Sequence, residues 1–296
     1  MITGMQYLDA VRDAHTLLCA HQNKLNAINV FPVPDGDTGT NMLRTLSGVL
    51  ELTASSSDAL SDVSDRVASA MLEKARGNSG IMLSLLFRGI SVCFQKAVMA
   101  GGEMLADALS AAADCAWNAV PDPQEGTILT VARYAADAAQ AVPKKTVQTV
   151  ITAACAGALQ GLQKTTAMLP QLQKAQVVDA GGYGYLLVLH AFARRFGGTY
   201  TVQTFSEAVD MGQTVPGYKY CTELWIRQKQ PTAGTAELQN FLSLCGDCGT
   251  AVSQQGRIKV HVHTDAPWRV LEKALEYGNV YDIKIDDMAE QVGQRG

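Results

Sequence analysis

No apolar run in this sequence reaches the roughly 18 to 20 residues that a bilayer-spanning helix needs. The stretch from Met1 to Ala14 carries Asp9, Arg12 and Asp13 and lacks a basic start followed by an apolar block, so a secretory signal is not expected there. Charge of one sign is missing as well: 24 basic residues face 28 acidic ones, a formal net charge of −4, and no run of like charge stands out. That balance argues against a nucleic-acid partner or a membrane-seeking patch. The seven cysteines are odd in number and scattered, which is not the pattern of a secreted disulfide framework. A cytoplasmic protein is expected.

What is present is apolar mass, 47% of 296 residues, enough for a large core and at the length where one domain commonly becomes two. From Leu8 to Phe196, apolar residues recur at three- and four-residue intervals between short Gly, Pro or Ser breaks. Eight helices follow, near 5–24, 40–53, 58–75, 79–98, 103–119, 126–142, 146–163 and 181–196. Short connections make successive helices antiparallel neighbours, so residues 1–199 are expected to form an all-α bundle or barrel. Cys19, Cys93, Cys115 and Cys155 lie among Ala and Leu and read as buried core residues. Beyond Gly198 the pattern alternates at Thr199–Phe205, Tyr220–Arg227 and Arg257–Thr264, with helical stretches at Ala236–Cys245 and Trp268–Tyr277. Residues 200–296 are therefore expected to form a smaller α+β domain.

The densest chemistry lies in Asn29-Val-Phe-Pro-Val-Pro-Asp-Gly-Asp-Thr-Gly-Thr-Asn-Met42. Pro32 and Pro34 stiffen the approach, and Gly36 and Gly39 allow the chain to turn so that Asp35 and Asp37 converge. Magnesium takes hard oxygen ligands, one or two carboxylates with phosphate and water completing the shell. Thr38, Gly39, Thr40 and Asn41 open the next helix, whose first amides are expected to be unpaired and to favour a phosphate. A calcium loop counted from Asp35 fails, because Leu46 stands where the bidentate Glu belongs and Thr40 where Gly belongs. A capped Asp-Gly turn competes on equal terms with a metal site at this point.

Three more helix starts carry glycine: Arg76-Gly-Asn78-Ser79-Gly80, Glu125-Gly126-Thr127 and Asp179-Ala-Gly181-Gly-Tyr-Gly-Tyr185. For the first of these, N-capping by Asn78 or Ser79 is the plainer explanation taken alone. No Gly-x4-Gly-Lys-Ser/Thr motif occurs, Gly182-Tyr-Gly184 lacks the third small residue of a dinucleotide fingerprint, and protein-kinase signatures are missing.

Together, Asn29–Met42, Ala75-Arg-Gly-Asn-Ser-Gly-Ile81, Glu125-Gly-Thr-Ile-Leu-Thr130 and Val178-Asp-Ala-Gly-Gly182 resemble the FakA-like fatty acid kinase family of the dihydroxyacetone kinase L-domain superfamily. Gly217-Tyr-Lys-Tyr-Cys-Thr-Glu223 and Lys259-Val-His-Val-His-Thr264 resemble that family's middle domain. The resemblance implies an eight-helix barrel holding ATP and magnesium, with two ions expected and Asp35 and Asp37 as catalytic metal ligands. It carries nucleotide contacts onto Asn29, Thr38, Gly39, Thr40, Asn41, Asn78, Ser79, Thr127, Asp179 and Gly181. It further implies a homodimer, a separate fatty-acid-binding protein that presents the acceptor, and an additional C-terminal domain that these residues do not contain.

In the second domain Lys259, His261 and His263 share one strand face, and Cys221 lies on another alternating strand. Cys221, His261 and His263 would supply three ligands of a tetrahedral zinc site, the set the resemblance favours. Cys245-Gly-Asp-Cys248 followed by His261-x-His263 is a finger-like rival with too short a His spacing, and paired surface histidines without metal are the plain alternative. Phosphoryl transfer needs mainly positioning and charge neutralisation. A carboxylate acceptor, ionised near neutral pH because carboxyl pKa values lie at roughly 4, needs no general base. The expected activity is phosphorylation of a fatty acid carboxylate to an acyl phosphate. A small-ketose kinase component of dihydroxyacetone type and a non-enzymatic nucleotide-binding scaffold remain open beside it.

Overall fold

The computed structural model describes residues 1–203, 205, 217–230, 234–288 and 290. They form two compact units. The first comprises Met1–Pro32, Gly36–Trp117 and Gln124–Met211, and the second comprises Val33–Asp35, Asn118–Pro123 and Gly212–Gly296.

Among its described residues the first unit has nine helices: α1 (Gly4–Ala27), α2 (Thr38–Ser47), α3 (Leu60–Lys74), α4 (Gly77–Cys93), α5 (Gly102–Asn118), α6 (Ile128–Gln140), α7 (Val147–Met168), α8 (Pro170–Ala175) and α9 (Ala180–Phe196). The eight expected stretches are all helical. The additional one, α8, exists because Leu169 is extended and Pro170 has no amide to continue α7, so the chain restarts as a separate turn. Helix starts are set by local chemistry. The Thr3 hydroxyl accepts from the Gln6 amide while the Gln6 side chain accepts from the Thr3 amide, a reciprocal cap on α1, and Thr146 with Thr149 does the same for α7. The α9 helix stops at Gly197, which adopts the left-handed φ of 73° that glycine tolerates.

The interior is aliphatic with a small aromatic centre. Tyr7 meets Phe94 and Phe192 edge-on at 5.9 Å each, and all three are buried. Close approach of α6 and α7 requires small residues: a Cβ on Gly157 would meet the Tyr134 carbonyl, and one on Gly161 the Tyr134 ring. Of the four cysteines expected in this core only Cys155 is buried; Cys19 is exposed, and Cys93 and Cys115 are half-buried. Their Ala-rich neighbourhoods carry helical periodicity but not the face on which each thiol lands.

In the second unit, β1 (Tyr220–Gln228), α10 (Ala236–Cys245), β2 (Asp247–Gln254), β3 (Arg257–Thr264), α11 (Pro267–Tyr277) and β4 (Gly278–Asp287) build an antiparallel sheet of order β2-β3-β1-β4. Leu224, Ile226, Ile258, Val260 and Val262 form one face and pack on Leu238 and Leu242 of α10 and Val270 and Ala274 of α11. Two strands, β2 and β4, escape sequence reading because Gly, Asp and Ser interrupt their alternation. The strand expected at Thr199–Phe205 does not form at residues 199–203 or 205, and residue 204 lies outside the described residues. Here the segment lies along helices and has no strand to pair with: the Thr199 amide donates to Thr152, Tyr200 stacks on His190 at 4.1 Å, and Phe205 meets Tyr183.

Candidate nucleotide and metal sites

The Asn29–Met42 segment is braced by the end of α1. Asn29 Oδ1 accepts from the Thr38 amide at 2.9 Å and from the Thr38 hydroxyl at 2.5 Å, all buried. One turn earlier, Asn26 Oδ1 accepts from the Thr40 amide at 3.1 Å, and Asn26 Nδ2 and Gln22 Nε2 both donate to Thr40 Oγ1 at 3.0 Å. Two amides at the start of α2 are therefore already satisfied, contrary to the expectation of unpaired donors. Gln22 and Asn26 were missed in the sequence, although their i,i+4 spacing places them on one face of α1.

Asp37 occupies the N-cap of α2, yet its side chain makes no capping bond; its carbonyl receives the Asn41 amide at 2.8 Å. The simple capping turn is thus not what this aspartate forms, and its half-buried carboxylate is not spent on the helix end. Asp35 is half-buried, belongs to the second compact unit, and is separated from Asp37 by Gly36 at φ 66°.

Tertiary packing brings the glycine-bearing helix starts together. A Cβ on Gly77, itself at φ 59°, would strike the Asn41 amide group, and one on Gly80 would strike Thr45 Oγ1, so the starts of α2 and α4 touch. Asn78 and Ser79 are half-buried in the first turn of α4; the N-cap is Arg76, and neither side chain caps the helix. On α9, a Cβ at Gly184 would overlap the Met42 thioether, which links this start to α2. The α6 and α9 starts meet through Asp179, whose buried carboxylate accepts from the Gly182 amide at 2.7 Å and from the Ile128 amide. Gly181 lies against the same carboxylate and Ile128. Burial outweighs these two bonds and pushes the Asp179 carboxyl up to about 7. Thr127 caps α6, accepting from the Leu129 amide at 3.3 Å and donating to the Gln124 carbonyl at 2.8 Å. Thr127 and Asp179 therefore act here as caps that join helix starts.

In the second unit the sheet face opposite its apolar core carries Cys221, Glu223, Lys259, His261 and His263. Both histidines are buried, which corrects the alternative of paired surface imidazoles. Ligand atoms of Cys221, His261 and His263 lie within 4.8 Å of one another, and Cys221 Sγ is 3.8 Å from His261 Nδ1. Ligands on a tetrahedral zinc stand about 3.6 Å apart for thiolate and imidazole, so this donor set fits the metal. Burial holds the His261 imidazole below its ordinary pKa, in the neutral form a metal requires. A second group, Asp247, Cys248 and His263, shares His263, whereas Cys245 belongs to neither. Sequence reading missed Glu223, which binds Lys259 Nζ at 3.4 Å and His261 Nδ1 at 3.2 Å; its position two residues after Cys221 on one strand was the available signal.

Comparison with known proteins agrees with this architecture. A family model described as DAK2 domain matches residues 32–194, more than half of the chain, and the chain belongs to that family. Within it the assignment is narrower: residues 217–295 match a model for the FakA-like fatty acid kinase middle domain, so the two units together define a FakA-like chain on a kinase-type scaffold. Protein YloV of Bacillus subtilis is 36% identical over 97% of this chain and 57% of that protein. Uncharacterized protein SSP1546 of Staphylococcus saprophyticus is 33% identical over 98% of this chain and 56% of its own length. The chain thus spans about half the length of the curated relatives it matches. A crystal structure of the dihydroxyacetone kinase from C. freundii in complex with AMP-PNP and Mg2+ is similar to 63% of this chain and 33% of that one, with a TM-score of 0.48 and 20% identity. Among the described residues no helix is long and apolar enough to cross a membrane.

Proposed function

We propose that residues 1–199 bind ATP with magnesium and transfer its terminal phosphoryl group to a fatty acid carboxylate presented by a separate lipid-binding protein. The observation that carries this reading is Asp37 at the N-cap of α2: a carboxylate held beside two touching glycine-bearing helix starts and not consumed as a cap. Asp35 and Asp37 would hold magnesium, which when bound neutralises charge on the nucleotide phosphates. Thr38 and Thr40 are fixed by Asn29, Asn26 and Gln22, so their side chains meet a ligand without further ordering. In this reading Asn29 acts through Thr38, and Thr127, Asp179 and Gly181 shape the rim by joining the α6 and α9 starts. Gly39, Asn41, Asn78 and Ser79 line the place where α2 meets α4.

The second unit we read as a zinc-holding domain, with Cys221, His261 and His263 as ligands. The whole protein is read as a cytoplasmic homodimer.

Titration of the protein with a nonhydrolysable ATP analogue should show magnesium-dependent binding that Asp37→Asn weakens at least tenfold. Unchanged magnesium-dependent affinity in that variant would remove the metal role. With ATP, oleate and a lipid-carrier protein should give acyl phosphate; turnover with dihydroxyacetone alone would overturn the acceptor. Metal analysis of protein purified without chelators should find about one zinc per chain, on the ligand count of a single tetrahedral site.

A further inference from the structure

The two histidine ligands are each backed by a carboxylate on a neighbouring strand. Glu223 of β1 is the register partner of His261 on β3, and Asp247 of β2 is the register partner of His263. Cys221 lies directly across from His263 on the other side. Glu223 Oε1 accepts from His261 Nδ1 at 3.2 Å, and both side chains are buried. Asp247 Oδ1 stands 3.1 Å from His263 Nδ1, off the line of a hydrogen bond. Because the Asp247 side chain is half-exposed, a small rotation suffices to align that contact.

An imidazole whose Nδ1–H is held by a carboxylate presents Nε2 as its lone pair. His261 Nε2 is fully buried and has no hydrogen-bond partner among the described residues, a position no side chain occupies without cost unless a ligand meets it. Fixing His261 and His263 in the same tautomer from two flanking strands leaves both Nε2 atoms and the Cys221 thiolate to one ion. The bulge in β2 between Asp247 and Thr250 supports the arrangement, since it interrupts the ladder beside Asp247 and leaves that residue in register with His263.

We propose that Glu223 and Asp247 are positioning residues of the metal centre: each carboxylate holds the Nδ1–H of one histidine so that His261 and His263 ligate zinc through Nε2. The proposal rests on the zinc reading above. It also assigns the second acidic group a role, because Asp247 then serves the Cys221 centre through His263 and does not bind an ion with Cys248.

Long-range proton–nitrogen correlation spectra of the 15N-histidine-labelled, zinc-loaded protein test it directly. The expected pattern is a protonated Nδ1 and a metal-shifted Nε2 at both His261 and His263; metal-shifted Nδ1 atoms would overturn it. Asp247→Ala should retain zinc stoichiometry while weakening affinity, read by competition with a chromophoric chelator, by about 10- to 100-fold. Glu223→Gln, which keeps an oxygen facing Nδ1, should weaken it less than Asp247→Ala. Affinity unchanged in both variants rejects the positioning role. In cobalt-substituted protein, thiolate charge-transfer absorption should vanish with Cys221→Ser and persist with Cys248→Ser, and the reverse result places the ion in the other group. Wild-type protein that binds no zinc defeats the underlying reading and this one together, and is distinguished from a bound ion held through Nδ1.

Discussion

At the residue scale, the segment from Asn29 to Met42 owes its shape to amide side chains. Replacing Asn29 with Ala leaves the Thr38 amide and hydroxyl without their acceptor, at a cost of about 1–3 kcal/mol, readable as a lowered urea midpoint; Asn29→Asp, which keeps the acceptor oxygen, should lose less. Asp179 gives a pH signature. Its folded pKa of about 7 lies above the ordinary value of 3.8, so its contribution to stability is fully present below about pH 4 and declines as pH rises through 7. Asp179→Asn keeps an acceptor for the Gly182 amide but cannot ionise. The variant should therefore show a flatter dependence of melting temperature between pH 5 and 8 than the wild type; an unchanged slope would assign the pH dependence to other groups.

Elements are held apart or together by single atoms. Between α6 and α7, Gly157 faces the Tyr134 carbonyl with no space for a methyl group. Gly157→Ala gains up to about 1 kcal/mol of helix propensity and loses about 1–3 kcal/mol to overpacking, so a net destabilisation with an unchanged denaturant slope is expected. The same logic applies where α2 meets α4: Gly80→Ala pushes Thr45 away and should weaken nucleotide binding together with stability. Helix periodicity was legible throughout the first unit because one face of each helix is buried. Strands β2 and β4 were not, since edge strands interrupted by polar residues carry little alternation, and only pairing with β3 and β1 makes them strands.

For the whole molecule, metal removal should act on the sheet unit. A chelator removes a ligand of the folded state only, so at free zinc 100 times its dissociation constant the loss is about 2.7 kcal/mol, read as a lowered transition in calorimetry and restored by zinc. Cys221→Ser should abolish that response, and a melting temperature indifferent to chelator in the wild type would show that no ion supports this unit. The residue types and intervals alone determined that the chain is a helical unit followed by a mixed one, and they singled out Asp37, Asn78, Cys221, His261 and His263, because helical spacing, strand alternation and glycine-dense helix starts are properties of neighbouring positions. They could not determine which polar groups were already consumed. That Asn29 and Asn26 satisfy the α2 amides, that Asp179 and Thr127 cap and join helices, that Asp37 does not cap, and that Glu223 and Asp247 stand behind the two histidines are matters of contact and burial, most of them between segments far apart in the chain. Only packing decides those pairings, since a buried donor or acceptor takes whichever partner the fold brings within reach.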